Sequence, residues 1–224
     1  MRAPFDVTLD TLMTKRSSSI GPVVVGGLLL GGVGILGALL LDGVSNANDQ
    51  RAKKDQQLAE GLRRLLARVT AALGVDAPPL VLTAAVENAA SDGFQILVNP
   101  MWARATLTEF CADRACNNAV MIGVLAHEVG HHVEGDALIN EPWSKRDREL
   151  RADGYAGEAL ALLGVPHVHF ARVLAAISRH HSGGSPFAYP HARERIAAID
   201  GAYQATIHSM ASAFYARQGY VLVG

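Results

Sequence analysis

Cysteine, aromatic residues and excess charge are all scarce in this chain. Two cysteines in 224 residues cannot build a disulfide framework. Aromatic residues make up only 6%, which leans the composition away from strands. The formal charge of −1 lacks the basic excess that neutralises phosphates, so no nucleic-acid partner is expected. Disorder is excluded too, because half the residues are apolar and only 18% are charged. Alanine is plentiful at thirty-six residues, and it favours helix. The length suits one ordinary domain plus an appendage. Nine histidines carry information only through their positions.

One long uncharged run stands out, Ile20 to Leu41. As a helix its 22 residues would extend about 33 Å, enough for a hydrocarbon core of roughly 30 Å. Lys15 and Arg16 precede it and Asp42 closes it. It reads as a single membrane anchor. A cleaved signal peptide, with Ser45-Asn46-Ala47 as the processing site, and a buried helix are the alternatives. Its seven glycines make a poor buried helix but allow close helix contact, with Gly27, Gly31 and Gly34 as a small-residue stripe for self-association. The positive-inside rule slightly favours a cytoplasmic N-terminus and an exported C-terminal domain. The expected organisation is a tail (1–19), the anchor or signal segment (20–41), a linker and amphipathic helix (42–74) and a catalytic domain (75–224).

From Asp49 to Leu73, Leu58, Leu62, Leu65, Leu66 and Val69 recur at helical spacing. Gly74 reads as the C-terminal cap, with Pro78-Pro79 as the break beyond it. Two short strand-like runs follow, Leu80–Thr83 and Phe94–Val98, the second bounded by Asp92-Gly93 and Asn99-Pro100. Beyond Pro100 the pattern predicts helices near 100–110, 117–134, 145–163, 167–180 and 191–217, with a loop at Ser182–Pro186. The fold class expected is α+β, mostly helical, with a short sheet and one N-terminal transmembrane helix.

His127-Glu128-Val129-Gly130-His131 is an HExxH motif. Residues four apart share a helix face, so both imidazoles can reach one zinc ion. Glu128 lies one step round and can act as general base toward water. Catalytic zinc needs a third protein ligand. Eighteen residues after His131 comes Glu149-Leu150-Arg151-Ala152-Asp153, where Glu149 and Asp153 again share a face. Glu149 can complete a set binding one Zn²⁺ per chain. Asp153 can accept a hydrogen bond from the far nitrogen of a ligand imidazole, fixing its tautomer.

With these residues in place, HEVGHH followed by ELRADGYAGEAL resembles the gluzincin metallopeptidases of the HtpX and CAAX-prenyl-protease group, especially their small bacterial members. The resemblance runs from about Phe94 to Tyr203. It implies a zincin-like catalytic domain, zinc held by His127, His131 and Glu149, Glu128 as base, and Asp153 bonded to a ligand histidine. It also implies a zinc endopeptidase acting on peptide or protein substrates; the N-terminal anchor lies outside the stretch that carries the resemblance, and with it the protein is expected to be membrane-anchored in the bacterial inner membrane. In such enzymes the upstream strand lies along the cleft, so Phe94–Val98 is expected to be an edge strand, with Gln95, Ile96, Leu97, Val98 and Asn99 binding an extended substrate.

Two departures from the family pattern matter. Small members often carry HHxxGH, whereas here Asp136 stands at the last place. The family's "His-Pro … Arg-Ile" segment appears as Tyr189-Pro190 through Arg195-Ile196. Either Tyr189 or His191 could donate to the oxyanion of the tetrahedral intermediate, and Arg195 is left between a catalytic and a structural role.

The remaining signals have plainer readings. His132 is expected to make a hydrogen bond within the fold, and His167, His169, His180, His181 and His208 to be surface or capping residues. Trp102 and Trp143 are read as packing residues or cleft walls. Cys111 and Cys116 can pair in an exported domain and stay free in a reducing compartment. The competing function classes are a non-catalytic zinc-bearing assembly module and a glycine-rich membrane scaffold.

Overall fold

In the computed structural model the described residues are 33–138, 145–180 and 190–218, with side chains described from residue 49 on and not for 178–180. The tail 1–19, Gly27, Gly31, Trp143, His181, the 182–186 loop and Tyr189 lie outside the described residues, as does most of the run 20–41. The chain divides into two compact units, Met1–Gly61 and Leu62–Gly224. In the first, the described backbone is helical from Val33 onward. Among the described residues, no helix is long and apolar enough to cross a membrane.

Helix α1 (Val33–Leu73) runs on into the second unit, where Leu62, Leu65, Leu66 and Val69 are buried as their spacing predicts. A three-stranded sheet follows, built from β1 (Leu80–Leu82), β2 (Ala89–Ser91) and β3 (Ile96–Val98). Its order is β1-β3-β2, with β1 parallel and β2 antiparallel to β3. Strand β3 is therefore central, which corrects the expectation of an edge strand over Phe94–Val98.

The five residues expected to bind substrate all have places in the scaffold. Ile96 and Val98 are core residues, and Leu97 pairs with Val81 and Ala90. The Asp92 carboxylate accepts from the backbone N–H groups of Phe94 and Gln95, both at 2.9 Å, and from the Gln95 side chain at 3.0 Å. The side-chain bond from Gln95, with the backbone bonds beside it, holds the Asp92 pKa below its usual range. Asn99 caps helix α2 (Pro100–Phe110) through bonds from the N–H groups of Met101 and Trp102, and its amide donates to the Val86 carbonyl at 2.8 Å.

Helix α3 (Arg114–Val133) is the axis of the unit. Every residue from Ala119 to Gly130 is buried, as expected of a helix that is apolar all round. Asp113 caps it by accepting from the Cys116 N–H at 2.9 Å. Cys111 and Cys116 form a disulfide across the α2–α3 joint. Helices α4 (Lys145–Leu162), α5 (Val168–His180) and α6 (Ala192–Arg217) complete the fold. Helix α4 packs on α3 and α6, α5 on α3 and α6, and β2 and β3 on α3.

Two glycines permit the close approaches. A methyl group on Gly130 would sit 2.9 Å from the Ala152 Cα, and one on Gly157 would collide with the Ile199 carbonyl oxygen. Glycine at 130 lets α4 lie against α3, and glycine at 157 lets α6 lie against α4. Gly157 follows Asp153 by one helical turn, and Ile199 follows Arg195 by one turn. Gly157→Ala is expected to wedge α6 outward and cost about 1–3 kcal/mol, as overpacking does. In thermal unfolding this is a Tm loss of roughly 2–4 °C per kcal/mol.

Candidate metal centre

Helix α3 presents His127 and His131 one turn apart, and α4 brings Glu149 across to them. These three offer ligand atoms that all lie within 4.8 Å of one another. The Nε2 atoms of His127 and His131 are 3.1 Å apart. Glu149 Oε2 lies 3.6 Å from His127 Nε2, and Glu149 Oε1 lies 3.8 Å from His131 Nε2. A tetrahedral zinc with ligands at about 2.0–2.1 Å has ligand–ligand edges of about 3.3–3.4 Å. The observed spacings bracket that value, and two imidazoles with one carboxylate form a zinc-type donor set. The residues fit the ion.

The far nitrogens explain why both Nε2 atoms face inward. His127 Nδ1 is 3.0 Å from Asp153 Oδ1, and His131 Nδ1 is 2.8 Å from Asp136 Oδ2. An Nδ1–H donated to each carboxylate leaves a lone pair on each Nε2. Two such lone pairs converging at 3.1 Å repel each other unless a positive charge sits between them.

Asp153 has no solvent exposure and is held from a second side by Arg195 of α6. The guanidinium donates through Nε to Oδ2 at 2.7 Å and through Nη2 to Oδ1 at 2.8 Å, a bidentate pair. Nη2 also lies 3.3 Å from Glu149 Oε2, so one cation steadies two carboxylates. Burial pushes the Asp153 carboxyl up, but the bonds from His127 and Arg195 outweigh it and hold the pKa low. Burial opposes charge on His127 as well, and the Asp153 bond and charge override it to raise that imidazole. The Arg195 guanidinium follows the same balance, with Asp153 outweighing burial.

Glu128, buried beside the ligands, has its carboxyl pKa raised, chiefly by burial and against the pull of His127 and His131. It accepts a backbone hydrogen bond from Ser91 of β2. Strand β2 is thus the sheet edge that meets the site. Asp92 N–H donates to the Gln95 carbonyl, and the Asn88 carbonyl accepts from Asn99 N–H. By antiparallel alternation, Ala89 and Ser91 then direct their backbone groups away from β3.

His191 is exposed and stands at the N-terminal cap of α6, its backbone N–H donating to Glu194 at 2.9 Å. That bond, with the Arg146 ion pair beside it, holds the Glu194 carboxyl below its usual range. His132 Nδ1 is buried without a hydrogen-bond partner among the described residues. His167 pairs with Asp200 at 3.2 Å and packs on Tyr203. Trp102 is half-buried on α2. Sequence reasoning missed three participants: Asp136, noticed only as a departure from the family pattern, the backbone of Ser91, and the grip of Arg195 on two carboxylates.

The buried charge of Glu128 makes a prediction for the metal-free protein. Its folded pKa lies above the unfolded value, so its contribution to stability is fully present below the unfolded carboxylate pKa and is lost as pH rises through the folded one. Glu128→Gln removes that loss. Chelator-stripped Glu128→Gln protein is expected to melt above the wild type at pH 7–8, with the difference vanishing near pH 4 or below. Thermal unfolding of both proteins across this range checks it.

Comparison with known proteins gives a partial likeness. The chain is 31% identical over 142 residues to "Protease HtpX" of Legionella pneumophila strain Corby, and to that of strain Lens to the same degree. The match covers 59% of this chain and 49% of each relative, so the chain spans about half the length of the curated relatives it matches. No family model matches the chain. No solved structure matches it.

Proposed function

We propose that this chain is a zinc metalloendopeptidase, HtpX-like in its catalytic part. The observation that carries the reading is the convergence of His127, His131 and Glu149 with the buried Glu128 beside them. The distant likeness to two proteases supports it. A purely structural metal site would have no use for a carboxylate kept apart from the ligands.

His127, His131 and Glu149 would hold the ion. Zinc, when bound, supplies a polarising charge that makes water acidic near neutrality. Glu128 takes the proton from the attacking water onto its carboxylate and returns it to the leaving amine. Its raised pKa suits it to both transfers. Asp153 and Arg195 keep His127 in one tautomer and orientation. Tyr189 or His191 donates to the oxyanion, and single variants Tyr189→Phe and His191→Ala separate the two. The substrate lies extended along the outer edge of β2, its N–H groups donating to the carbonyls of Ala89 and Ser91, whose own N–H groups are taken by Asn88 and Glu128. Ser91 already directs a hydrogen bond at Glu128, so a chain pairing there would run beside the base. Main-chain pairing gives affinity with little sequence demand.

We also propose that residues 20–41 anchor the protein in a membrane with the catalytic part on the oxidising, exported side. The disulfide Cys111–Cys116 supports this, since such bonds persist in oxidising compartments. The tryptic peptides carrying Cys111 and Cys116, which cleavage after Arg114 separates, are expected from protein alkylated during lysis as one disulfide-linked pair that gains free thiols only after reductant. Complete alkylation without reductant overturns the exported placement.

The central test uses casein and bound zinc together. Glu128→Gln is expected to keep one zinc per chain and lose proteolysis by at least 100-fold, as expected for a general base. Glu149→Ala is expected to lose the metal and the activity together. A chelator should abolish wild-type activity and added zinc restore it. Wild-type cleavage by Glu128→Gln would refute the mechanism.

A further inference from the structure

The departure at the end of the HHxxGH pattern has a physical meaning. Asp136 opens a 3-10 turn (Asp136–Leu138) just past α3. Gly135, at φ +66°, supplies the left-handed residue that turns the chain back on the helix it has just left. The reversal returns the Asp136 carboxylate to the last turn of α3, where Oδ2 meets His131 Nδ1 at 2.8 Å. The turn is braced from the sheet side, since a methyl group on Gly93 would meet the Ala137 Cβ at 3.3 Å.

The second oxygen, Oδ1, is buried with no hydrogen bond, but two cations face it. Arg148 Nε and Arg151 Nη2 each lie 3.8 Å away. Arg151 also pairs with Glu134 at 3.3 Å, and Glu134 accepts a bond from the Tyr155 hydroxyl at 3.1 Å. Arg148 and Arg151 flank Glu149 on α4. The helix that delivers the third ligand thus also delivers the positive charge that steadies Asp136. The buried carboxylate is nearly closed to solvent, so its charge is compensated by protein.

We propose that Asp136 is the positioning residue of His131, the counterpart of Asp153 at His127. It receives Nδ1–H, so the Nε2 lone pair points at the metal, and it restrains a ring that stands in the last turn of its helix, where backbone restraint is weakest. This rests on the zinc-site reading above.

Zinc affinity measured apart from activity tests it. Full-length wild type, Asp136→Ala and Asp136→Asn are stripped of metal and titrated with zinc against a chromophoric chelator. Their cobalt complexes are compared by visible absorption. Asp136→Ala is expected to bind zinc 10–100-fold more weakly and to shift the cobalt bands. Asp136→Asn, which keeps an acceptor but not the charge, should fall between it and the wild type. A structural role alone would lower metal-free Tm without moving the cobalt spectrum of the folded protein. Should Asp136→Ala fail to fold, the near-isosteric Asp136→Asn decides. Zinc affinity within threefold of wild type, with unchanged cobalt bands, overturns the assignment while leaving the zinc site standing. A wild type that binds no zinc overturns both.

Discussion

A carboxylate with no access to solvent governs this fold. Asp153 would be costly to bury as a bare charge. It is tolerated because Arg195 meets it with two hydrogen bonds and His127 with a third. The carboxylate and its two partners come from three helices. α3 gives the imidazole, α4 the carboxylate and α6 the guanidinium, so satisfying one buried charge fixes how the three pack. Gly130 and Gly157 are the steric counterpart of that demand. Each stands where two helix backbones approach too closely for a side chain, and Gly157 lies one turn from Asp153 itself.

The same logic recurs at the second histidine with different parts. Each ligand imidazole gives its far nitrogen to a carboxylate, and each carboxylate is backed by arginine. Asp153 is gripped directly and bidentately. Asp136 is faced by Arg148 and Arg151 at longer range. The stiffer arrangement serves His127, deep in the helix, and the looser one serves His131 near the helix end. Glu128 sits buried beside them, and burial is the chief cause of its raised pKa.

How much of this was legible in the sequence depended on the range of each interaction. The α3 and α4 pairs, His127 with His131 and Glu149 with Asp153, follow from helical period alone, and the structure brings the predicted ligands together. Helices α2, α4 and α6 lie close to their expected bounds because Asn99-Pro100 and the apolar periodicity mark them. Strand β2 was not legible. Ala89-Ala90-Ser91 has no β-branched residue and no aromatic, so only its pairing with β3 makes it a strand. With β2 unseen, β3 reads as the edge, and nothing local in Gln95–Asn99 reports their places in the sheet core, a turn and a helix cap. Asp136 was visible only as an exception to a pattern, because its contact depends on a reversal at Gly135. Arg195 lies 42 residues beyond Asp153, and no local periodicity reports a partner at that distance. Residues 20–41 fall largely outside the described structure, so the anchor rests on hydropathy.

The position of Arg195 along the chain also sets an order of events. His127, His131, Glu149 and Asp153 all precede it, and until α6 arrives Asp153 lacks the guanidinium that neutralises it. A chain growing from its N-terminus therefore holds every metal ligand before it holds the residue that neutralises their support. The ligand cluster is electrostatically finished only when α6 docks and brings Arg195 to Asp153. Completion of the centre is thereby tied to the docking of a single helix.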